Sequence, residues 1–160
     1  MLAVKLICVG KMRERFYIDA FEEYRKRLGA YCRFECKEIA EQRLSDSPSG
    51  GEIAAALEKE GAEILRAVPT DAYTVALCVE GKDMSSEGFS ALFAERENSG
   101  RPKLCFLVGG SCGLSETVKA CADLRLSLSR MTFPHHLARV MLAEQIYRAF
   151  KIAEGSRYHK

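Results

Sequence analysis

The sequence contains no C-x-x-C pair, and its seven cysteines are an odd number. A secreted disulfide framework favours an even count, so that class is excluded. The three histidines, His135, His136 and His159, share no zinc-site spacing with the cysteines, and no metal is expected. No apolar run approaches the roughly 18 residues of a membrane span. Lys5 interrupts the first apolar run and no small-residue cleavage site follows, so no signal peptide is read. These absences predict a cytoplasmic, reduced protein with no membrane partner. Charge of one sign is missing too: 24 Lys and Arg face 22 Asp and Glu, a net charge of +2. Bulk electrostatics therefore gives no argument for nucleic acid, while local basic patches stay open. The G-x-G-x-x-G fingerprint and the phosphate-loop pattern are absent. No internal repeat or low-complexity tract is present.

What remains is ordinary globular composition, with 48% hydrophobic and 29% charged residues over 160 positions. That length predicts one domain, 1–160. Apolar runs at Val4–Val9, Tyr73–Val79 and Lys103–Val108 read as buried strands. Alternation marks two more, at Cys32–Ile39 and Leu124–Leu128. Helical spacing covers Glu14–Leu28, Ser86–Asn98, a short Glu116–Ala122 segment and a last helix from Pro134 to about Glu154. Ser49 and Glu52 form a capping-box pair that starts a helix running to about Ala67. Alternating strands and helices predict an α/β fold with a mostly parallel sheet and flanking helices. Cys8, Cys78 and Cys105 lie in apolar runs and are expected to be structural.

Three segments follow apolar strands: the turn at Gly81, the Gly109–Gly113 loop and the Ser127–Pro134 stretch. Ligands of open α/β sheets bind outside the carboxyl ends of strands, which predicts one shared site. Gly109–Gly113 also satisfies G-x-S-x-G, with Asp123 and His135 following in the order Ser, Asp, His. A small serine hydrolase using Ser111 is thus one alternative, and a non-catalytic RNA-binding module is another. In the last helix Leu142, Ala143, Ile146, Tyr147, Ala149, Phe150 and Ala153 share an apolar face. Arg139 projects into that face, one turn after His135, and is expected to meet an anion, a substrate or a second subunit. Met141 and Ile152 widen the apolar surface, which predicts a homodimer built on this helix. The tail carries Arg157, Tyr158, His159 and Lys160. Lys11, Arg13 and Arg15 add positive charge near the other end. Such combinations suit RNA, although a solvated face or a frayed end gives the same pattern.

Several stretches together resemble the RlmH family of small SPOUT-class methyltransferases. They are KLICVGKM at Lys5–Met12, LVGGSCGL at Leu107–Leu114, LSLSRMTFPH at Leu126–His135, RAFKI at Arg148–Ile152 and the terminal Tyr158-His159. Arg139, Glu144, Tyr147 and Arg148 belong to the same pattern, and the resemblance covers the whole chain. It implies a SPOUT-type fold with a C-terminal deep trefoil knot. It further implies methylation of N3 of a pseudouridine in large-subunit (23S) ribosomal RNA, on the assembled ribosome. The implied cofactor is S-adenosyl-L-methionine, held by Leu77, Gly109, Leu128, Ser129, Arg130, Met131, Thr132 and Phe133. The implied state is a homodimer joined through the C-terminal helix and knot region, with the tail of one subunit reaching the site of the other. Tyr158 and His159 then take catalytic or substrate-positioning roles. His135 or His159 is the expected base or proton relay, and Arg139 the expected partner of the developing imide anion. Ser111-Cys112 stands where many relatives carry Pro-Glu.

Overall fold

Val4, Leu6 and Cys8 alternate with Ile7 and Val9 along the first strand, and all five are buried. A strand that is apolar on both faces needs cover on both, the signature of a parallel sheet between helices. The computed structural model describes all residues 1–160 and supplies that cover. In chain order the elements are β1 (Ala3–Val9), α1 (Arg15–Leu28), β2 (Arg33–Ile39), α2 (Gly50–Ala67) and β3 (Tyr73–Asp83). They continue with α3 (Ser86–Asn98), β4 (Lys103–Val108), α4 (Glu116–Cys121), β5 (Leu124–Ser127) and α5 (His135–Ala153). The five strands form one sheet in the order β2-β1-β4-β3-β5, and every pairing is parallel.

Two cores sandwich the sheet. Leu6, Cys8, Phe106 and Leu104 face α1, α3 and α5, where Phe21, Phe89, Phe93, Leu142 and Ile146 meet them. Ile7, Val9, Cys105 and Leu107 face the other way, toward Ile64 of α2 and Val118 of α4. Three helices start on serine caps. Ser49, Ser85 and Ser115 accept the backbone N–H of Glu52, Gly88 and Val118 at 3.1, 3.0 and 3.2 Å. Each bond satisfies one of the N–H groups that a helix start leaves without a partner. The Glu52 side chain turns outward instead of closing the box, and accepts from Ser45 Oγ at 2.9 Å. All seven cysteines are free; Cys8 and Cys105 are buried, but Cys78 is only half-buried.

The largest departure from the sequence reading lies in β3, which runs on to Asp83 instead of turning at Gly81. Its pairing with β5 is broken by a bulge: Leu77 and Lys82 both register with Leu126. The residues between them are pushed outward, and the strand then resumes beside β5. Gly81 makes this return possible. A Cβ there would lie 2.7 Å from the Leu126 carbonyl carbon and 2.8 Å from that of Arg125, both backbone atoms. Gly81→Ala should therefore lower stability by about 1–3 kcal/mol through forced overpacking. Gly50→Ala, where nothing lies within 4 Å, should not. Urea midpoints at unchanged slope measure both.

Candidate functional site

The strands β3, β4 and β5 end side by side, and the segments that follow them close around one cleft. Its volume is about 700 Å³. The bulged end of β3 contributes Leu77 to Glu80, the loop after β4 contributes Gly109 to Leu114, and the segment after β5 contributes Leu128, Ser129 and Met131 to His135. Seven of the eight expected cofactor residues thus line one space; Arg130 points outward and is exposed. Val108, Lys119 and Ala138 complete the lining. Cys78, read as a core residue from its apolar run, is part of the cleft wall because the bulge turns it out. The cleft has the size and mixed lining of a small-molecule site.

Glycine is required where the wall is thinnest. A Cβ on Gly109 would sit 2.4 Å from the backbone of Gly113, because Gly110 and Gly113 pair across a tight turn. The segment after β5 is braced from within: Ser127 Oγ donates to the Ser129 carbonyl at 2.8 Å, and Ser129 Oγ accepts the Met131 N–H at 3.0 Å. Met131 is nevertheless 73% exposed at the rim.

His135 opens α5 on the cleft wall. Burial and the neighbouring His136 imidazole both push its pKa below the ordinary histidine value, so it is neutral at pH 7. His136 turns away, its Nδ1 3.0 Å from Glu14 Oε2. Arg139 is not brought to the cleft. Its side chain is 2% exposed; Nη1 donates to Glu38 Oε2 at 2.7 Å and Nη2 to the Gly10 carbonyl at 2.9 Å. It borders a separate small cavity with Met12, Phe21 and Cys36. The anion it was expected to meet is a carboxylate of its own chain. The tail is not frayed. Tyr158 donates to Glu144 Oε1 at 3.1 Å and packs edge-on against Tyr147, while His159 lies 2.7 Å from Glu87 and 3.1 Å from Arg148. Burial and the Glu144 carboxylate push the Tyr158 phenol well above its ordinary pKa. Within one chain Tyr158 and His159 are therefore kept away from His135: Glu144 lies nine residues further along α5, about 13 Å.

The hydrolase alternative fails on geometry. Ser111 Oγ donates to Glu41 Oε1 at 2.8 Å, not to a histidine. Asp123 accepts the Thr74 N–H at 2.8 Å and serves the start of β3. Glu41 and Glu38 were not singled out from sequence. Glu41 had a usable signal, since it follows β2 at the same sheet edge as the three cleft segments. No group of His, Cys, Asp and Glu side chains is placed to hold a metal ion, and no helix is long and apolar enough to cross a membrane.

A family model described as "Predicted SPOUT methyltransferase" matches residues 2–159. The chain belongs to this family. It is 42% identical over 157 residues to the ribosomal RNA large subunit methyltransferase H of Clostridium beijerinckii, covering 98% of this chain and 99% of that protein. Identity to the methyltransferase of the same name from Clostridium botulinum is 44% over the same coverage. Among solved structures, the Legionella pneumophila protein Lpg2936, in complex with its bound cofactor SAM, superposes with a TM-score of 0.53. That likeness holds at 11% identity, covers 93% of this chain and 66% of the other, and concerns the fold. The parallel sheet and terminal α5 of this SPOUT methyltransferase are consistent with the knotted arrangement that family membership implies.

Two expectations follow from the site. Arg139→Ala leaves Glu38 and the Gly10 carbonyl without their partner and should cost about 3 kcal/mol, with Glu38's partial exposure limiting the loss. Chemical denaturation measures it. His135 should titrate below the ordinary histidine value by NMR. The unfolded chain then takes up a proton that the folded chain refuses, so stability falls as pH drops through the ordinary histidine range. His135→Gln should flatten that part of the profile.

Proposed function

We propose that this chain is an S-adenosylmethionine-dependent methyltransferase acting on N3 of a pseudouridine in 23S ribosomal RNA, on the assembled ribosome in the cytoplasm. The observation that carries this reading is the convergence of three strand-end segments on one cleft of about 700 Å³. The relatives named for large-subunit ribosomal RNA methylation match over essentially the whole chain, which supports the substrate class. The residues present fit the cofactor. Leu77, Leu128 and Phe133 offer apolar walls for an adenosine and an amino-acid chain, and the Gly109–Gly113 turn, packed back on itself, adds a wall of backbone. Ser129, Met131 and Thr132 complete the cradle, with Arg130 beside it.

Bound there, S-adenosylmethionine supplies an electrophilic methyl group. The protein's task is to align N3 with that methyl, exclude water and take the imide proton that makes N3 a poor nucleophile. His135 is neutral at neutral pH and stands on the cleft wall, which suits it to accept the proton. Arg130 carries no ion pair and adjoins the cleft, so phosphate or developing negative charge falls to it more readily than to Arg139, which is already committed to Glu38.

The second subunit enters through α5. Val140 and Met141 line an open cavity of about 490 Å³ with Tyr24, Met84 and Phe89, an apolar surface suited to a second copy. In such a homodimer the partner's tail would bring Tyr158 and His159 to a cleft that its own chain keeps them from. This makes a single domain, 1–160, sufficient for cofactor binding and a dimer necessary for reaction.

Calorimetric titration with S-adenosylmethionine should give binding heat for the wild-type chain and none for Gly109→Val. Deleting Tyr158–Lys160 should retain the heat and abolish methylation of ribosomes. Mixing the deletion with Gly109→Val should restore activity, because one hybrid site then has an intact cleft and an intact tail. Failure of the mixture to recover any rate would overturn the tail's action across the dimer.

A further inference from the structure

Glu41 lies just beyond β2, at the edge of the sheet, yet its carboxylate reaches past the end of β1 to the loop after β4. Its Oε1 accepts both the N–H of Ser111, at 3.2 Å, and the Ser111 hydroxyl, at 2.8 Å. The contact is tight: a Cβ on Gly110 would meet that same oxygen at 2.8 Å and Val9 Cγ1 at 3.1 Å. The other oxygen faces a second group. A Cβ built on Gly10 would lie 3.5 Å from Glu41 Oε2, 3.6 Å from His135 Nε2 and 3.7 Å from His136 Nε2. One carboxylate thus occupies the corner where the β1 turn, the β4 loop and the start of α5 meet.

Gly110, Ser111 and His135 line the cleft, whereas Glu41 does not. We propose that Glu41 is a positioning residue of the cofactor cleft, holding the Gly110–Ser111 corner through its acceptor oxygen so that cofactor affinity depends on that oxygen. The assignment rests on the methyltransferase reading above. It explains why an acceptor is needed at this point. The Gly109–Gly113 loop is glycine-rich, and its internal bond, from the Gly113 N–H to the Gly110 carbonyl at 3.1 Å, leaves the Ser111 peptide itself unheld. Two donors on one residue, both directed at one oxygen, supply the missing restraint. Removing the acceptor orphans an N–H and an O–H at the cleft wall, and the loop must then move to satisfy them. Partial burial pushes the Glu41 carboxyl up, but the two Ser111 bonds outweigh it and hold it below its ordinary carboxylate range.

The test compares Glu41→Ala, Glu41→Gln and Ser111→Ala in the full-length chain. The dissociation constant for S-adenosylmethionine is read by calorimetry, and KM and kcat by ribosome methylation. Glu41→Ala should weaken cofactor binding about tenfold and raise the cofactor KM with kcat largely kept. Glu41→Gln retains a carbonyl acceptor and should recover most of the affinity. Ser111→Ala keeps the N–H bond and should fall between the two. A purely structural role would lower the melting temperature of Glu41→Ala and leave its cofactor affinity at the wild-type value, and that result overturns the assignment. So does a Glu41→Gln variant as weak as Glu41→Ala. If Glu41→Ala does not fold, wild-type affinity in Ser111→Ala overturns it instead. Absence of binding heat in the wild-type chain is a separate result, which overturns the functional reading beneath it.

Discussion

The ion pair between Arg139 and Glu38 is the contact on which the placement of α5 depends. A buried guanidinium is costly unless its donors are taken, and here two are, by a carboxylate from β2 and by the carbonyl of Gly10. Glu38 also accepts the Met12 N–H at 3.0 Å, so the same carboxylate fixes the turn that leaves β1. Partial burial raises the Glu38 carboxyl, yet Arg139 and the Met12 N–H together hold it below its ordinary range. The pair therefore ties three parts of the chain to one point: the end of β1, the end of β2 and the first turns of α5. His135 stands one helical turn before Arg139. Its position on the cleft wall follows from where the guanidinium is anchored.

The same logic of strand ends runs across the sheet. Parallel strands deliver all their carboxyl ends to one edge, and every segment of the cleft leaves from that edge. The protein then has to bring loops from neighbouring strands close enough to enclose a ligand. It does so in two ways. Bulging β3 throws Cys78–Glu80 outward while Gly81 lets the strand return against β5. Doubling the chain back at Gly109 and Gly113 makes a wall one backbone thick. Neither device works with a side chain at the crossing.

Much of this is legible in sequence, and the rest is hidden for identifiable reasons. Buried strands and capped helices follow from period and from Ser49, because those signals are local. Two of the three cleft segments lie where glycine and strand ends put them. The third does not: Gly81 reads as a turn, since a bulge and a turn share the same local chemistry and differ only in whether a partner strand continues alongside. Arg139 reads as a cation needing an anion at the site, but the anion it meets lies 101 residues away, on a strand, and the pairing is set by sheet order. Glu41 and Ser111, 70 residues apart, are joined only because β1 lies between β2 and β4. Ser111 in its G-x-S-x-G frame suggests a nucleophile until the fold supplies Glu41 as its acceptor.

The tail is held inside its own chain. Tyr158, His159, Arg148, Glu144 and Glu87 form a closed set of hydrogen bonds along the middle of α5, in which Arg148 pairs with Glu144 and the His159 ring lies between Arg148 and Glu87. Nothing in that set points toward His135, and a rigid helix separates the two ends. In the proposed homodimer the second set comes from the partner's tail, and a two-fold arrangement supplies it without further sequence. The cis contacts then have a cost to overcome: a tail leaving for a neighbouring cleft must find there a carboxylate for its imidazole and an acceptor for its phenol. The polarity of the proposed interface is in this way constrained by contacts made inside a single subunit. A nearly neutral chain with a net charge of +2 can satisfy it, since the charges that matter are already arranged in local, opposed pairs.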